Sequence, residues 1–96
     1  MKRTSIHSSE HAVLIGLLKE LRLSADLSQA QVAERLGRPQ TYVSAVEVGD
    51  RGLDLLQVRE LAAVYGLDFP TFAKELEERI GSPAVRPRRR KRTRVS

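Results

Sequence analysis

Apolar residues recur every three or four positions in five stretches of the chain, separated by short polar or glycine-bearing breaks. That period predicts five amphipathic helices. Leu14, Leu17, Leu18 and Leu21 mark the first. It is expected to start at Ser8 or Ser9, either a good N-cap, and to fade near Ala25–Asp26; Glu10 falls in its first turn, where a negative charge suits the helix dipole. Ser28, with Gln31 three residues on, forms a capping box opening a second helix to about Leu36. Gly37-Arg38-Pro39 is a break in which glycine takes a left-handed turn and proline suits a helix start. The third helix runs roughly from Gln40 to Val48 and ends at Gly49. Asp54 and Gln57 form a second capping box for the fourth, whose expected inner face is Leu55, Val58, Leu61, Ala62 and Tyr65. Asp68 caps the fifth; Phe69, Phe72, Ala73, Leu76 and Ile80 form one stripe before Gly81.

No segment alternates with period two for long enough to be a strand, and no internal repeat is visible. The expected fold is therefore all-α, a compact bundle of five short helices with a central helix-turn-helix. Three parts are expected: a disordered leader over 1–8, the helical domain over 9–81 and a flexible basic tail over 82–96. At 96 residues one small domain is all the chain holds. The longest uncharged apolar run, Ala12 to Leu18, is seven residues, against the ~20 that a membrane helix needs. Lys2 and Arg3 precede that run as in a signal peptide, but Glu10 and His11 interrupt the approach, and cleavage would remove the first core helix. The expected location is the cytoplasm, at the nucleoid.

Charge changes the picture once it is divided. The net charge is +5, yet residues 86–94 hold seven of the 17 bases and no acid. Residues 1–85 carry 10 bases against 12 acids, net −2, and residues 10–81 carry 8 against 12, net −4. A mildly acidic body thus bears a strongly basic tail.

The stretch from Gln29 to Val48 is the most informative. Two helices joined by a three-residue turn pack at a steep angle, which demands small or β-branched residues at fixed places. Ala33 sits where a larger side chain would meet the next helix, Gly37 lies in the turn, and Val32, Leu36, Val43 and Val46 face the shared core. The pattern Gln29-x3-Ala33-x3-Gly37-x5-Val43-x2-Val46 resembles the lambda-repressor-like helix-turn-helix family, also called the Cro/repressor or XRE type. The resemblance extends over about residues 10–80, through Leu27-Ser28-Gln29, Gly37-Arg38-Pro39-Gln40, Glu47-Val48-Gly49 and Ala63-Val64-Tyr65-Gly66-Leu67.

The resemblance implies that the third helix enters the major groove of double-stranded DNA. At 100° per residue, Val43 and Val46 point inward and Gln40, Thr41, Ser44, Ala45 and Val48 point outward as base-reading candidates. Gln40 can pair with adenine in a bidentate manner, and Thr41, Ala45 and Val48 can meet thymine methyl groups. Many relatives carry Lys or Arg near positions 45 and 48. Ala45 and Val48 here weaken phosphate anchoring and remove a guanine reader. Gln29 matches the family's phosphate-contacting glutamine, which also steadies the glutamine of the third helix. Arg22 and Glu47 match an Arg and a Glu that are commonly ion-paired near the DNA backbone. Arg38, Tyr42 and Arg51, flanking the reading face and the loop after it, complete the expected backbone contacts.

Arg86, Arg88, Arg89, Arg90, Lys91, Arg92 and Arg94 lie among Pro and Thr and cannot fold alone. Near DNA such a segment gains from counterion release, as an arm on the backbone or in a minor groove. A charge run does not name its polyanion, so RNA or an acidic protein is an alternative target. With no Cys there is no thiol nucleophile and no Cys-based zinc site. His7 and His11 lie i, i+4 without a third ligand nearby, and no Gly-rich phosphate loop is present, so no enzyme activity, metal or cofactor is expected. The expected function is a sequence-specific DNA-binding regulator, a repressor occupying an operator, as a homodimer through the apolar fifth helix. Two alternatives are the antitoxin of a toxin–antitoxin pair, with a toxin partner, and a protein–protein adaptor that has lost groove readout.

Overall fold

The computed structural model describes residues 8–81. Five helices follow in order: α1 (Ser9–Ser24), α2 (Gln29–Leu36), α3 (Gln40–Glu47), α4 (Leu55–Val64) and α5 (Phe69–Ile80). The caps are those the sequence predicts. Ser8 Oγ accepts from the His11 amide at 3.0 Å. At α2 the Gln31 amide donates to Ser28 Oγ at 3.0 Å, and the Ser28 amide to Gln31 Oε1 at 2.8 Å. Asp54 and Gln57 repeat the exchange at α4, at 2.8 and 3.0 Å. Asp68 takes the Thr71 hydroxyl at 2.8 Å and the Thr71 amide at 3.3 Å, bonds that hold its carboxyl below the usual range. Apart from the Thr71 hydroxyl's, each bond meets a backbone amide that a helix start leaves without a partner.

The turn between α2 and α3 depends on Gly37, whose φ of 69° lies in the left-handed region. That conformation lets the Arg38 amide reach back to the Ala33 carbonyl at 3.0 Å. Pro39 stands at the N-cap of α3 and provides no side-chain cap. It ends one residue earlier than the pattern predicts: Val48 is its C-cap, and its amide bonds the Ser44 carbonyl at 3.0 Å. At eight residues, α3 is too short to be stable by itself. Its packing holds it.

Leu17, Leu18, Val32, Val43, Val46, Leu61, Ala62 and Phe72 form the fully buried centre. α1 crosses the middle of the bundle against α3, α4 and α5, while α2 packs on α3 and α4. Ala33 is buried at the α2–α3 crossing, and Leu36 packs against the core from its edge. Arg79 joins α5 to α1 through an ion pair with Glu20, and pairs with Glu75 at 3.1 Å along its own helix.

Two expectations about faces need correction. Leu55 is 67% exposed rather than on the inner face of α4. As the first helical residue it sits at the domain's edge, ahead of the turn that meets α1. On α5 only Phe72 is buried; Phe69, Leu76 and Ile80 are half-covered and Ala73 is exposed. Leu55 and these α5 residues, with Leu14, instead wall an apolar groove of about 400 Å³ between α1, α4 and α5. Phe69 and Phe72 stack within it, ring centroids 6.2 Å apart. The expected leader, apart from Ser8, and the whole of the expected basic tail, 82–96, fall outside the described residues. No helix among the described residues is long and apolar enough to cross a membrane.

Candidate nucleic-acid interface

Among the described residues, the most connected polar group lies where α1, α2 and α3 meet. Arg22, near the end of α1, aims its guanidinium at Glu47, the last residue of α3. Arg22 Nε donates to Glu47 Oε2 at 2.6 Å and Nη2 to Oε1 at 3.0 Å, a bidentate pair. Nη1 donates to the Leu27 carbonyl in the α1–α2 loop at 2.8 Å. The side chains of Arg22 and Glu47 are only 10% and 4% exposed. Glu47 holds the guanidinium above its ordinary range, against the opposing effect of burial. Tyr65 borders the same group; burial, reinforced by Glu47 and opposed by Arg22, pushes its phenol up to about 12.

The network reaches outward from there. Gln29, the first residue of α2, donates from Nε2 to Glu47 Oε1 at 2.9 Å. That bond leaves Gln29 Oε1 as an acceptor, and Gln40 Nε2 approaches it at 3.5 Å. A buried ion pair therefore orients a half-buried glutamine, which in turn meets an exposed glutamine at the start of α3. Arg22 is spent inside this group, so its expected charge toward phosphate is not presented at the surface.

Along α3, Val43 and Val46 are buried in the core. Gln40 and Thr41 are exposed, and Ser44 and Ala45 are half-exposed one turn later. Val48 is 67% exposed, just past the helix end. The five base-reading candidates thus form one uncharged strip beginning at Gln40. Its composition can distinguish base edges and cannot attract phosphate.

Positive charge flanks the strip. Arg38 in the turn and Arg51 in the loop after α3 both stack on the Tyr42 ring, each with its guanidinium carbon 4.7 Å from the centroid. Arg38 also lies 3.1 Å from Glu60 of α4. Tyr42 corrects an expectation: it is 8% exposed, and its hydroxyl is buried without a hydrogen-bond partner. A phenol so placed does not offer itself to phosphate in the free protein. The signal was present, because positions 42 and 46 are i, i+4 and Val46 faces the core. The bond from Gln29 to Glu47 had no comparable signal, since its partners are 18 positions apart. The seven basic-arm candidates, Arg86 through Arg94, lie outside the described residues. Among the described residues no three His, Cys, Asp or Glu side chains are grouped to hold a metal ion.

Comparison with known proteins meets this geometry from a separate direction. A family model described as a helix-turn-helix domain matches residues 14–74, more than half of the chain. Among solved structures, an XRE-family like protein from Pseudomonas syringae pv. tomato str. DC3000 is similar at a TM-score of 0.71 and 36% sequence identity. The match covers 76% of this chain and 89% of that one. No curated protein matches the chain.

Proposed function

Because the chain belongs to the XRE-type helix-turn-helix family, we propose that it is a sequence-specific DNA-binding repressor that reads the major groove with α3. The observation carrying this reading is the ordered relay from the Arg22–Glu47 pair through Gln29 to Gln40. It supports the reading by bringing the exposed Gln40 amide within 3.5 Å of Gln29 at the head of an uncharged strip, an arrangement suited to adenine. Gln29 and the free amides at the start of α2 face a phosphate, a position that the helix dipole favours. Arg38 and Arg51 supply backbone contacts, and the basic tail follows the backbone beyond the body.

Selection of bound duplexes from random DNA tests the reading. It should recover a defined site, and the chain lacking residues 84–96 should still prefer that site. If no sequence is enriched and DNA binding vanishes with the tail, the protein is an adaptor with a basic arm. Gln40→Ala should cost roughly 1–3 kcal/mol at one or two base positions, foremost an adenine, with the fold intact. Equal weakening on all sequences would make Gln40 a backbone contact.

The apolar α5 groove supports a two-fold dimer, in which two α3 helices would meet half-sites about one helical turn apart. Light scattering that reports a monomer both free and on DNA removes the dimer.

A further inference from the structure

The Tyr42 ring is in contact with two arginines from different segments, one before α3 and one after it. Two cations drawn to one small ring repel each other, so the arrangement costs something that the stacking must offset. The ring itself is 8% exposed and belongs to the same buried cluster as Val43 and Val46, and its hydroxyl bonds nothing. Such a ring is a fixed platform with no hydrogen-bonding task of its own. Arg38 has a second restraint in Glu60, whereas Arg51 is exposed.

We propose that Tyr42 is a positioning residue, whose buried ring gathers the guanidiniums of Arg38 and Arg51, one from the turn before α3 and one from the loop after it, as a pair that grips DNA phosphate beside the ring. The inference rests on the DNA-binding reading above and adds to it a role distinct from contact. An arginine free in solvent gives up rotamer freedom when it engages a phosphate; one already stacked on a rigid ring has given up much of it beforehand. The ring thus raises affinity without adding charge. That distinction can be measured, since salt dependence counts charges engaged and is insensitive to how they were held.

The test uses the full chain and the duplex enriched from random DNA, over a series of salt concentrations. Arg38→Ala and Arg51→Ala should each lower the log–log salt slope by about 0.9. Tyr42→Leu should weaken binding on the order of tenfold at fixed salt while leaving that slope in place. Tyr42→Phe, which restores the ring without the hydroxyl, should rescue the affinity. Equal losses in the Phe and Leu variants would make the hydroxyl a direct contact, and no loss in the Leu variant would make the ring irrelevant; either result overturns the inference. Should the Leu variant fail to fold, relaxation of the arginine Nε–H groups decides the matter in the free wild-type protein and the Phe variant. Restricted motion at Arg38 and Arg51 is expected, and free rotation overturns the proposal. Failure of wild-type protein to enrich any duplex would remove the proposed function and this inference together. Overturning results on an enriched duplex would remove the inference alone.

Discussion

Glu47→Ala is expected to destabilise the domain by roughly 3–5 kcal/mol, because it strands a buried guanidinium. The carboxylate accepts from Arg22 Nε, Arg22 Nη2 and Gln29 Nε2, and after its removal Arg22 keeps only the Leu27 carbonyl. A domain of this size is stable by about 5–15 kcal/mol, so the loss would consume a large share of it. The effect belongs to the unpaired charge rather than to the pair. A double variant, Arg22→Met with Glu47→Leu, should therefore recover much of the deficit, since two apolar chains replace two desolvated charges. Chemical denaturation of wild type, single and double variants measures both numbers. A single-variant loss below about 1 kcal/mol would mean that the pair behaves as a solvated surface contact.

Deleting residues 86–96 is expected to change binding more than any single substitution on the body. Residues 10–81 carry net −4, and the reading strip is uncharged, so the body has little long-range attraction for DNA. Seven neutralised phosphates would steepen the log–log salt slope by about six, and a partial engagement by about two to four. The latter amounts to roughly 15- to 250-fold across a fourfold change in salt. The preference for operator over random DNA should survive, because Gln40, Thr41 and Ala45 remain. Affinities for both duplexes at several salt concentrations, with and without the tail, check the division. An unchanged slope would take the tail off the DNA and point to another polyanion.

What could be read from the sequence follows the range of the interactions. Capping boxes at Ser28–Gln31 and Asp54–Gln57 span three residues, and the left-handed turn at Gly37 spans one, so each was visible locally. Helical phase placed Val43 and Val46 inward and Gln40 outward for the same reason. Leu55 was misplaced because periodicity assigns a face to a residue without saying whether a neighbouring helix extends that far. The Arg22–Glu47 pairing came from a resemblance, since no local rule joins residues 25 positions apart. Tyr42 is expected at the surface because it flanks the reading face, whereas its place one turn before the core residue Val46 puts it on the buried side. The stacking of Arg38 and Arg51 on it required the loop after α3 to return alongside the turn before it, a matter of tertiary path.

α3 divides its side chains between two masters with little overlap. Val43 and Val46 belong to the core, while Gln40 and Thr41, and Val48 just past the helix end, are exposed. Substitutions at such exposed places usually move stability by no more than about 0.5 kcal/mol. If α3 reads bases as proposed, a gene duplicate could therefore acquire a different site by changing two or three surface residues, without passing through an unfolded intermediate. Glu47 and Tyr42 are exceptions: the Glu47 carboxylate anchors the fold and meets Gln29, and the buried Tyr42 ring carries Arg38 and Arg51. On that reading, divergence of target sequence should run along the strip headed by Gln40 and spare residues 42 and 47.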